Sequence, residues 1–295
     1  MSIIIACLAL YGQAVNGSYS WIGYGGFGIQ PSEFVKIAII PLFATYYEYH
    51  KKDNKNYKKM LFPLIIAVII TVLILLQNDF GSAFIFAIIS VSMFFIAPVS
   101  KKIKFQVFMV GVLGLVLLTL LIVVGKDKFL PMSKLERFNY FNPCERYLTT
   151  GNQLCNGYIA INNGHIFGRG LGNSLQKYLY LPEAHTDFIF AIILEELGIA
   201  SGIILLTLYL YVIIRISIAG KKATSTSHCM ICFGVAIYFF YHIVINLGGV
   251  LGVLPLTGIP LAFMSYGGSF CWASLIALML VQRINYETKI KLNRS

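Results

Sequence analysis

Side chains suited to binding an anionic ligand gather in the segment 164–188. Arg169 and Lys177 supply cationic donors that match phosphate oxygens. Four glycines would let the backbone turn tightly and approach a ligand closely. They are Gly164, Gly168, Gly170 and Gly172. The segment therefore predicts a binding site for a phosphate-bearing molecule.

The same segment ends in three polar side chains, Glu183, His185 and Asp187, directly ahead of an apolar run that begins at Phe188. This cluster strengthens the prediction of a functional site. A structural role for Asp187 is the alternative, because an acid at the N-cap or in the first turn of a helix is favoured by the helix dipole. Both interpretations stay open on sequence position alone.

Two further acids, Glu195 and Glu196, lie within that apolar run. Carboxyl groups in hydrocarbon are costly and are by default functional or paired, so we expect both to face a bundle interior or a wet cavity. Lys36, three residues after Glu33, is a candidate partner, and snorkelling of Lys36 to the interface is the alternative. A structural ion pair and a proton relay are both open, and we favour the ion pair.

The backbone is predicted to be irregular within residues 246–269, where Pro255 and Pro260 flank Thr257 and Gly258. Irregular backbone at membrane depth is tolerated only where it is buried in protein or lines a cavity, so we expect a cavity here. Close helix packing through small residues is the alternative. It explains the glycines of this stretch but not its two prolines.

Composition places these segments in a membrane protein. Of the 295 residues, 58% are apolar and 12% are charged, and the mean hydropathy is +0.76. A soluble domain is nearer half apolar and a quarter charged, so an ordinary soluble enzyme and a disordered chain are both excluded.

Apolar runs of roughly 17 to 25 residues, long enough to cross a bilayer as helices, recur along the chain. We predict an all-α polytopic bundle of about eight spans, forming one membrane domain over residues 1–295. The first run, about 3–15, is interpreted as a shortened helix, because it lacks the basic start and the cleavage site of a signal peptide. The other predicted spans are 34–49, 61–77, 80–98, 105–124, 187–214, 229–253 and 258–282.

The net charge of +11 follows from membrane topology. Basic residues concentrate in alternate connections and in the C-terminal tail, which the positive-inside rule places in the cytoplasm. No basic stripe accompanies a soluble module, so we expect no nucleic-acid partner. The basic residues are Lys51, Lys52, Lys55, Lys58, Lys59, Lys101, Lys102, Lys104, Arg215, Lys221, Lys222, Arg283, Lys289, Lys291 and Arg294.

The opposite, extracytoplasmic face carries one long connection, residues 125–186. Connections of this length are usually functional or carry structure of their own. Cys144 and Cys155 lie in it and could pair or stay reduced. Cys229 and Cys232 form a Cys-x-x-Cys pair, for which small buried side chains are favoured over a metal or redox site because no second ligand pair accompanies them.

Eight stretches of sequence follow one another in the order known from one protein family. They are 21–22, 30–34, 77–83, 137–143, 168–177, 181–190, 195–198 and 254–269. Together they resemble the SEDS family, the FtsW/RodA/SpoVE group of bacterial cell-wall proteins, over essentially the whole chain. Within that group, residues 151–158 are closer to FtsW-like members.

The resemblance implies a bundle of about ten transmembrane helices with the large extracytoplasmic loop before the eighth. This chain supplies fewer spans, and we take the first two family helices to be absent from it. Two smaller departures are Asn78, where family members often carry proline, and His165, where glycine is usual.

The resemblance also implies an activity. The family polymerises lipid II into glycan strands during cell division or elongation, as a peptidoglycan glycosyltransferase of the bacterial plasma membrane. It works with a class B penicillin-binding transpeptidase and with other division or elongation proteins. No cofactor is required, because the pyrophosphate of lipid II already carries the activation.

The family's catalytic aspartate falls on Asp187, which could act as general base on a sugar hydroxyl of lipid II. Arg137, Arg169 and Lys177, or a divalent cation such as Mg²⁺ or Mn²⁺, would stabilise the leaving pyrophosphate. The other residues expected at the substrate site are Glu183, which would orient Asp187, Gln176 and His185.

Two other functions remain open at this point. A flippase or transporter for the same lipid-linked precursor would use the broken helices and the intramembrane acids as a translocation path. It would need Glu195, Glu196 or Lys36 more than Asp187. A scaffold of the division machinery would tolerate the loss of every one of these acids.

Overall fold

The computed structural model describes residues 13–15, 18–24, 27–124, 143–146, 151–182 and 184–294. Two predicted site residues, Arg137 and Glu183, lie outside the described residues, as does most of the predicted first run.

Helices dominate the described residues, in agreement with the predicted all-α membrane bundle. They are α1 (Pro31–Tyr49), α2 (Tyr57–Leu76), α3 (Phe80–Ile96), α4 (Lys101–Val124), α5 (Asn152–Gly164), α6 (Leu175–Leu179), α7 (Ile189–Lys222), α8 (Thr226–Val250) and α9 (Gly268–Arg294). Short 3-10 turns occur at Lys51–Asp53 and Pro143–Arg146.

A small antiparallel sheet of order β1-β2-β3 precedes the first helix, formed by Gln13–Val15, Ser18–Tyr24 and Phe27–Ile29. Residues 13–15 are therefore a strand, and the prediction of a helix through residue 15 was wrong there. The physical reason lies in β2, whose aromatic and β-branched side chains favour strand pairing. β3 packs closely on it, since a Cβ at Gly28 would lie 3.0 Å from the Trp21 ring.

Within the described ranges, three helices, α2, α7 and α8, are long and apolar enough to cross a bilayer, and α3 is a shorter apolar helix. Six helices begin within four residues of the predicted starts of spans. The prediction for the last span was wrong, because α9 begins at Gly268 and not near residue 258. Proline at 255 and 260 and left-handed backbone at Gly252 and Gly258 keep the intervening residues out of a helix.

Helix α8 is the centre of the bundle and packs against α1, α3, α7 and α9. It contributes the fully buried Tyr238 and Phe239 to the same core that contains large side chains of α1 and α3. In contrast, α2 and α4 expose many of their apolar side chains. Such exposed apolar surfaces fit helices that face lipid. The large buried side chains of α1 and α3 include Phe43, Tyr47, Phe86 and Phe94.

Candidate active site

The turn ahead of α7 is held in position by hydrogen bonds to its backbone carbonyls. Each carbonyl of residues 185–187 accepts one hydrogen bond from the chain between α8 and α9 or from α8 itself. The donors, in order, are Tyr266 N at 2.9 Å, Ser265 Oγ at 2.6 Å and Asn246 Nδ2 at 2.8 Å. The loop therefore joins the membrane helices at a turn whose three consecutive carbonyl groups are all hydrogen-bonded.

The Asp187 side chain is partly exposed and lies against the backbone of Gly258. A Cβ at position 258 would be 3.3 Å from Asp187 Oδ2, and the glycine takes a left-handed φ of 69°. The N-cap of α7 is Phe188, and α7 has no acidic residue in its first turn. The alternative of Asp187 as a helix cap was therefore wrong.

A second carboxylate, Asp79, lies at the same end of the bundle. It caps α3 by accepting a hydrogen bond from Ser82 N at 3.0 Å, and it accepts another from Gln30 Nε2 at 2.8 Å. The adjacent Gly81 packs on the carbonyl of Thr257, since a Cβ there would lie 2.6 Å from that oxygen. The sequence analysis gave Asp79 no role, although it lies in a stretch shared with the family.

Helix α7 is broken at Gly198, which has φ 81° and ψ 172°. The freed peptide groups pair with the loop segment 165–170 through four backbone hydrogen bonds. These are Arg169 N to Glu195 O, Gly170 N to Glu196 O and Ile199 N to His165 O, each at 2.9 Å, and Ala200 N to Ile166 O at 3.2 Å. The long loop is thereby joined to the helix by backbone hydrogen bonds, as a strand is joined to its neighbour.

Three glycines make this approach feasible. A Cβ at Gly164 would overlap the carbonyl of Leu194, and a Cβ at Gly168 would overlap that of Glu196. A Cβ at Gly198 would overlap the carbonyl of Ile166. The sequence predicts that the loop glycines allow the close approach of a ligand. At Gly164 and Gly168 it is the α7 backbone that approaches closely.

The same contact pairs both intramembrane acids with the loop. Glu195 is fully buried, accepts hydrogen bonds from Ser174 Oγ and from Asn163 Nδ2 at 3.3 Å, and has Arg169 NH1 at 3.8 Å. Glu196 has Lys177 Nζ at 3.7 Å. This geometry favours structural pairing over a proton relay for both acids.

Lys36 is not the partner of these acids, and that expectation was wrong. Its ammonium pairs with Glu33 Oε1 at 2.7 Å, one turn earlier on α1, and the side chain is only 1% exposed. Snorkelling to the interface is excluded by the same burial. Residues three apart share a helix face, which explains why Lys36 pairs with Glu33.

The remaining predicted substrate residues differ in their exposure. Arg169 and Lys177 have side chains 39% and 30% exposed, so a ligand can reach both while each lies near its glutamate. His185 is exposed, next to Asp187 in the same turn. Gln176 is buried, with a side chain that faces the protein.

The cysteines are divided between the loop and the helices. Cys144 and Cys155 form a disulfide that joins the 3-10 turn at Pro143–Arg146 to α5. Cys229 and Cys232 are free thiols; Cys232 is buried as predicted, whereas Cys229 is partly exposed. Among the described residues, no three His, Cys, Asp or Glu side chains group together as metal ligands would.

These features define a polytopic helical membrane protein with a partly exposed carboxylate where a structured loop joins a broken helix. A family model described as "Cell cycle protein", covering FtsW, RodA and SpoVE, matches residues 1–290. The chain belongs to this family.

Individual relatives agree with that membership. The chain is 36% identical over 293 residues to a protein of Coxiella burnetii, covering 97% of this chain and 76% of the relative. It is 35% identical over 298 residues to a protein of Bacillus subtilis, covering 99% and 73%. Both relatives carry the name "Probable peptidoglycan glycosyltransferase FtsW".

Solved structures share the fold. A chain from a peptidoglycan synthase complex, described for its coordination of polymerization and crosslinking, superposes with a TM-score of 0.77 at 23% identity, covering 97% of this chain and 78% of that one. The rod shape determining protein RodA of Thermus thermophilus gives a TM-score of 0.65 at 22% identity, with coverage of 97% and 75%.

We predict that Gly168→Ala destabilises the protein more than Gly172→Ala. The two glycines have nearly the same φ, 78° and 79°, so the cost of left-handed backbone is shared. Only Gly168 packs against α7, whereas a Cβ at Gly172 would have no neighbour within 4 Å. Overpacking costs about 1–3 kcal/mol, so the melting temperature of purified Gly168→Ala in detergent should be the lower. Equal melting temperatures for the two variants would contradict the close contact.

Proposed function

We propose that the chain is a peptidoglycan glycosyltransferase that polymerises lipid II, with Asp187 as the general base. One observation carries the proposal: the Asp187 carboxylate is partly exposed, lies against the backbone of Gly258, and stands on a turn whose backbone is held on three consecutive carbonyls. Family membership and the names of the relatives support the same activity.

In this reaction Asp187 accepts the proton of a sugar hydroxyl on one lipid II molecule. The oxygen attacks the anomeric carbon of the other substrate, the lipid-linked donor. A glycosidic C–O bond forms while the C–O bond to the pyrophosphate breaks, and undecaprenyl pyrophosphate leaves. A base placed within hydrogen-bond reach of the hydroxyl contributes typically about 10²–10⁴-fold to such a step.

The leaving pyrophosphate gains negative charge that cations must stabilise. Arg169 and Lys177 are supported for this role by their partial exposure. Arg169 also lies on the segment 165–170 fixed to the break in α7, and Lys177 follows in α6. Glu195 and Glu196 hold the cations in place at 3.8 and 3.7 Å. The step needs no cofactor, and a divalent cation, Mg²⁺ or Mn²⁺, would add only to this charge neutralisation.

The proposal includes a partner and a location. The fold shared with a chain of a peptidoglycan synthase complex supports a class B penicillin-binding transpeptidase as the partner, within the division or elongation machinery. The positive-inside rule supports a bacterial plasma membrane location in which the face with the basic connections is cytoplasmic. Asp187 and the loop that precedes it then lie outside, where lipid II presents its sugars.

A lipid II flippase is the alternative function, and the geometry of the acids weighs against it. A translocation path would need mobile or reachable acids, but Glu195 is fully buried and paired, and Glu33 and Lys36 are paired with each other. A scaffold of the division machinery is not favoured by any contact in the described residues.

The test of the proposed function is Asp187→Asn in the purified chain, reconstituted with its transpeptidase partner and lipid II. Loss of the base should lower the rate of glycan polymerisation by about a hundredfold or more. Asp53→Asn is the matched control, because Asp53 is an exposed acid on the predicted cytoplasmic face, paired with Lys59 at 2.6 Å. Normal polymerisation by Asp187→Asn would reject the proposal.

We predict that Arg169→Ala and Lys177→Ala each weaken the binding of lipid II. Each removes one partly exposed cation, and a contact of about 1 kcal/mol corresponds to an increase in KM of about fivefold. The measurement is the KM for lipid II in the same reconstituted system, with the exposed Lys52→Ala as control and melting temperature as a check on folding. An unchanged KM in both variants would remove these residues from the substrate site.

A further inference from the structure

Asn246 is buried and Ser265 is partly exposed, and both side chains donate hydrogen bonds to the backbone of the turn that carries Asp187. We propose that these two residues are positioning residues for the Asp187 carboxylate. The inference rests on the proposed function, because it requires that Asp187 be the base.

The Asn246 amide links two separate elements. It lies on α8, is only 4% exposed, and its Nδ2 donates to Asp187 O at 2.8 Å and to Ile259 O at 2.7 Å. Asp187 precedes α7, whereas Ile259 lies in the irregular chain between α8 and α9. One amide group therefore fixes the distance between these two backbones.

That distance sets the surroundings of the carboxylate. Asp187 Oδ2 lies against Gly258, which directly precedes Ile259, so the backbone tied by Asn246 is also the wall that the carboxylate contacts. Asn246 thus fixes both the main chain of Asp187 and the backbone segment that its carboxylate faces. A shift of either backbone would move Oδ2 relative to an incoming hydroxyl group.

Ser265 has the same double function one peptide earlier. Its hydroxyl donates to Thr186 O at 2.6 Å and accepts from Leu261 N at 2.6 Å. Ser265 N also bonds Leu261 O at 3.0 Å, which closes a turn. Phe263 in that turn takes a φ of 64°, a conformation that a bulky residue keeps only where surrounding contacts determine it.

Positioning matters because displacement of the base lowers the rate of the chemical step while substrate binding is unaffected. A misplacement of about 1 Å can cost about 10²-fold in rate. Asn246 and Ser265 bond only to protein backbone in this geometry. Removing either donor should therefore lower kcat and leave the KM for lipid II nearly unchanged.

The experiment measures kcat and KM of Asn246→Ala and Ser265→Ala with lipid II in the reconstituted system. We expect kcat to fall by about tenfold to a hundredfold, with KM within twofold of the unsubstituted protein. Ser265→Thr keeps the hydroxyl and should restore most of the rate. Ser90→Ala is the control, because Ser90 is a buried serine whose hydroxyl donates to Phe86 O of its own helix, away from the turn that carries Asp187.

If Asn246→Ala does not fold, Asn246→Leu fills the same space without the donor and takes its place. A kcat equal to that of the unsubstituted protein in the folded Asn246 and Ser265 variants, beside an inactive Asp187→Asn, overturns this inference alone. A kcat as low in Ser265→Thr as in Ser265→Ala, or a loss that appears in KM, also overturns it. Activity in Asp187→Asn overturns the proposed function as well.

Discussion

Backbone hydrogen bonding at membrane depth is the constraint on which this structure depends. In hydrocarbon, each unpaired N–H or C=O group costs several kcal/mol, so irregular chain must find its partners inside the protein. Here two irregular places do so. The break in α7 at Gly198 pairs with the loop segment 165–170, and residues 246–266 supply the donors for the turn at 185–187.

Both irregular places lie at opposite ends of the same stretch of chain, residues 185–198. The turn at 185–187 fixes where Asp187 stands. The break at Gly198 fixes where Arg169 stands, because the loop segment 165–170 is paired to it. The Asp187 carboxylate and the Arg169 cation thus lie at the two ends of one chain segment whose backbone is hydrogen-bonded, and the Lys177 ammonium lies near Glu196 of the same helix. The structure obtains a preorganised polar site at a membrane surface from the same bonds that satisfy its backbone.

Much of this arrangement could be predicted from the sequence, because apolar length fixes helices and the resemblance identifies Asp187. The unpredicted parts all depend on contacts between distant residues. The late start of α9 results from prolines and left-handed glycines, which a hydropathy pattern does not detect. Strand β1 forms because β2 lies beside it. Glu195 pairs with Ser174 and Arg169 and not with Lys36. These partners could not be predicted, because only the folded loop brings Ser174 and Arg169 close to Glu195.

The side of the membrane on which Asp187 stands is the central claim, since lipid II offers its sugars for polymerisation outside the cell. The direct measurement is thiol labelling of Asp187→Cys in cells, with Cys7, Cys229, Cys232 and Cys271 replaced by serine and Lys52→Cys as the control. A membrane-impermeant maleimide should label Cys at position 187 in intact cells, and should label position 52 only after permeabilisation. Labelling of position 187 only after permeabilisation would place the carboxylate in the cytoplasm and contradict the account.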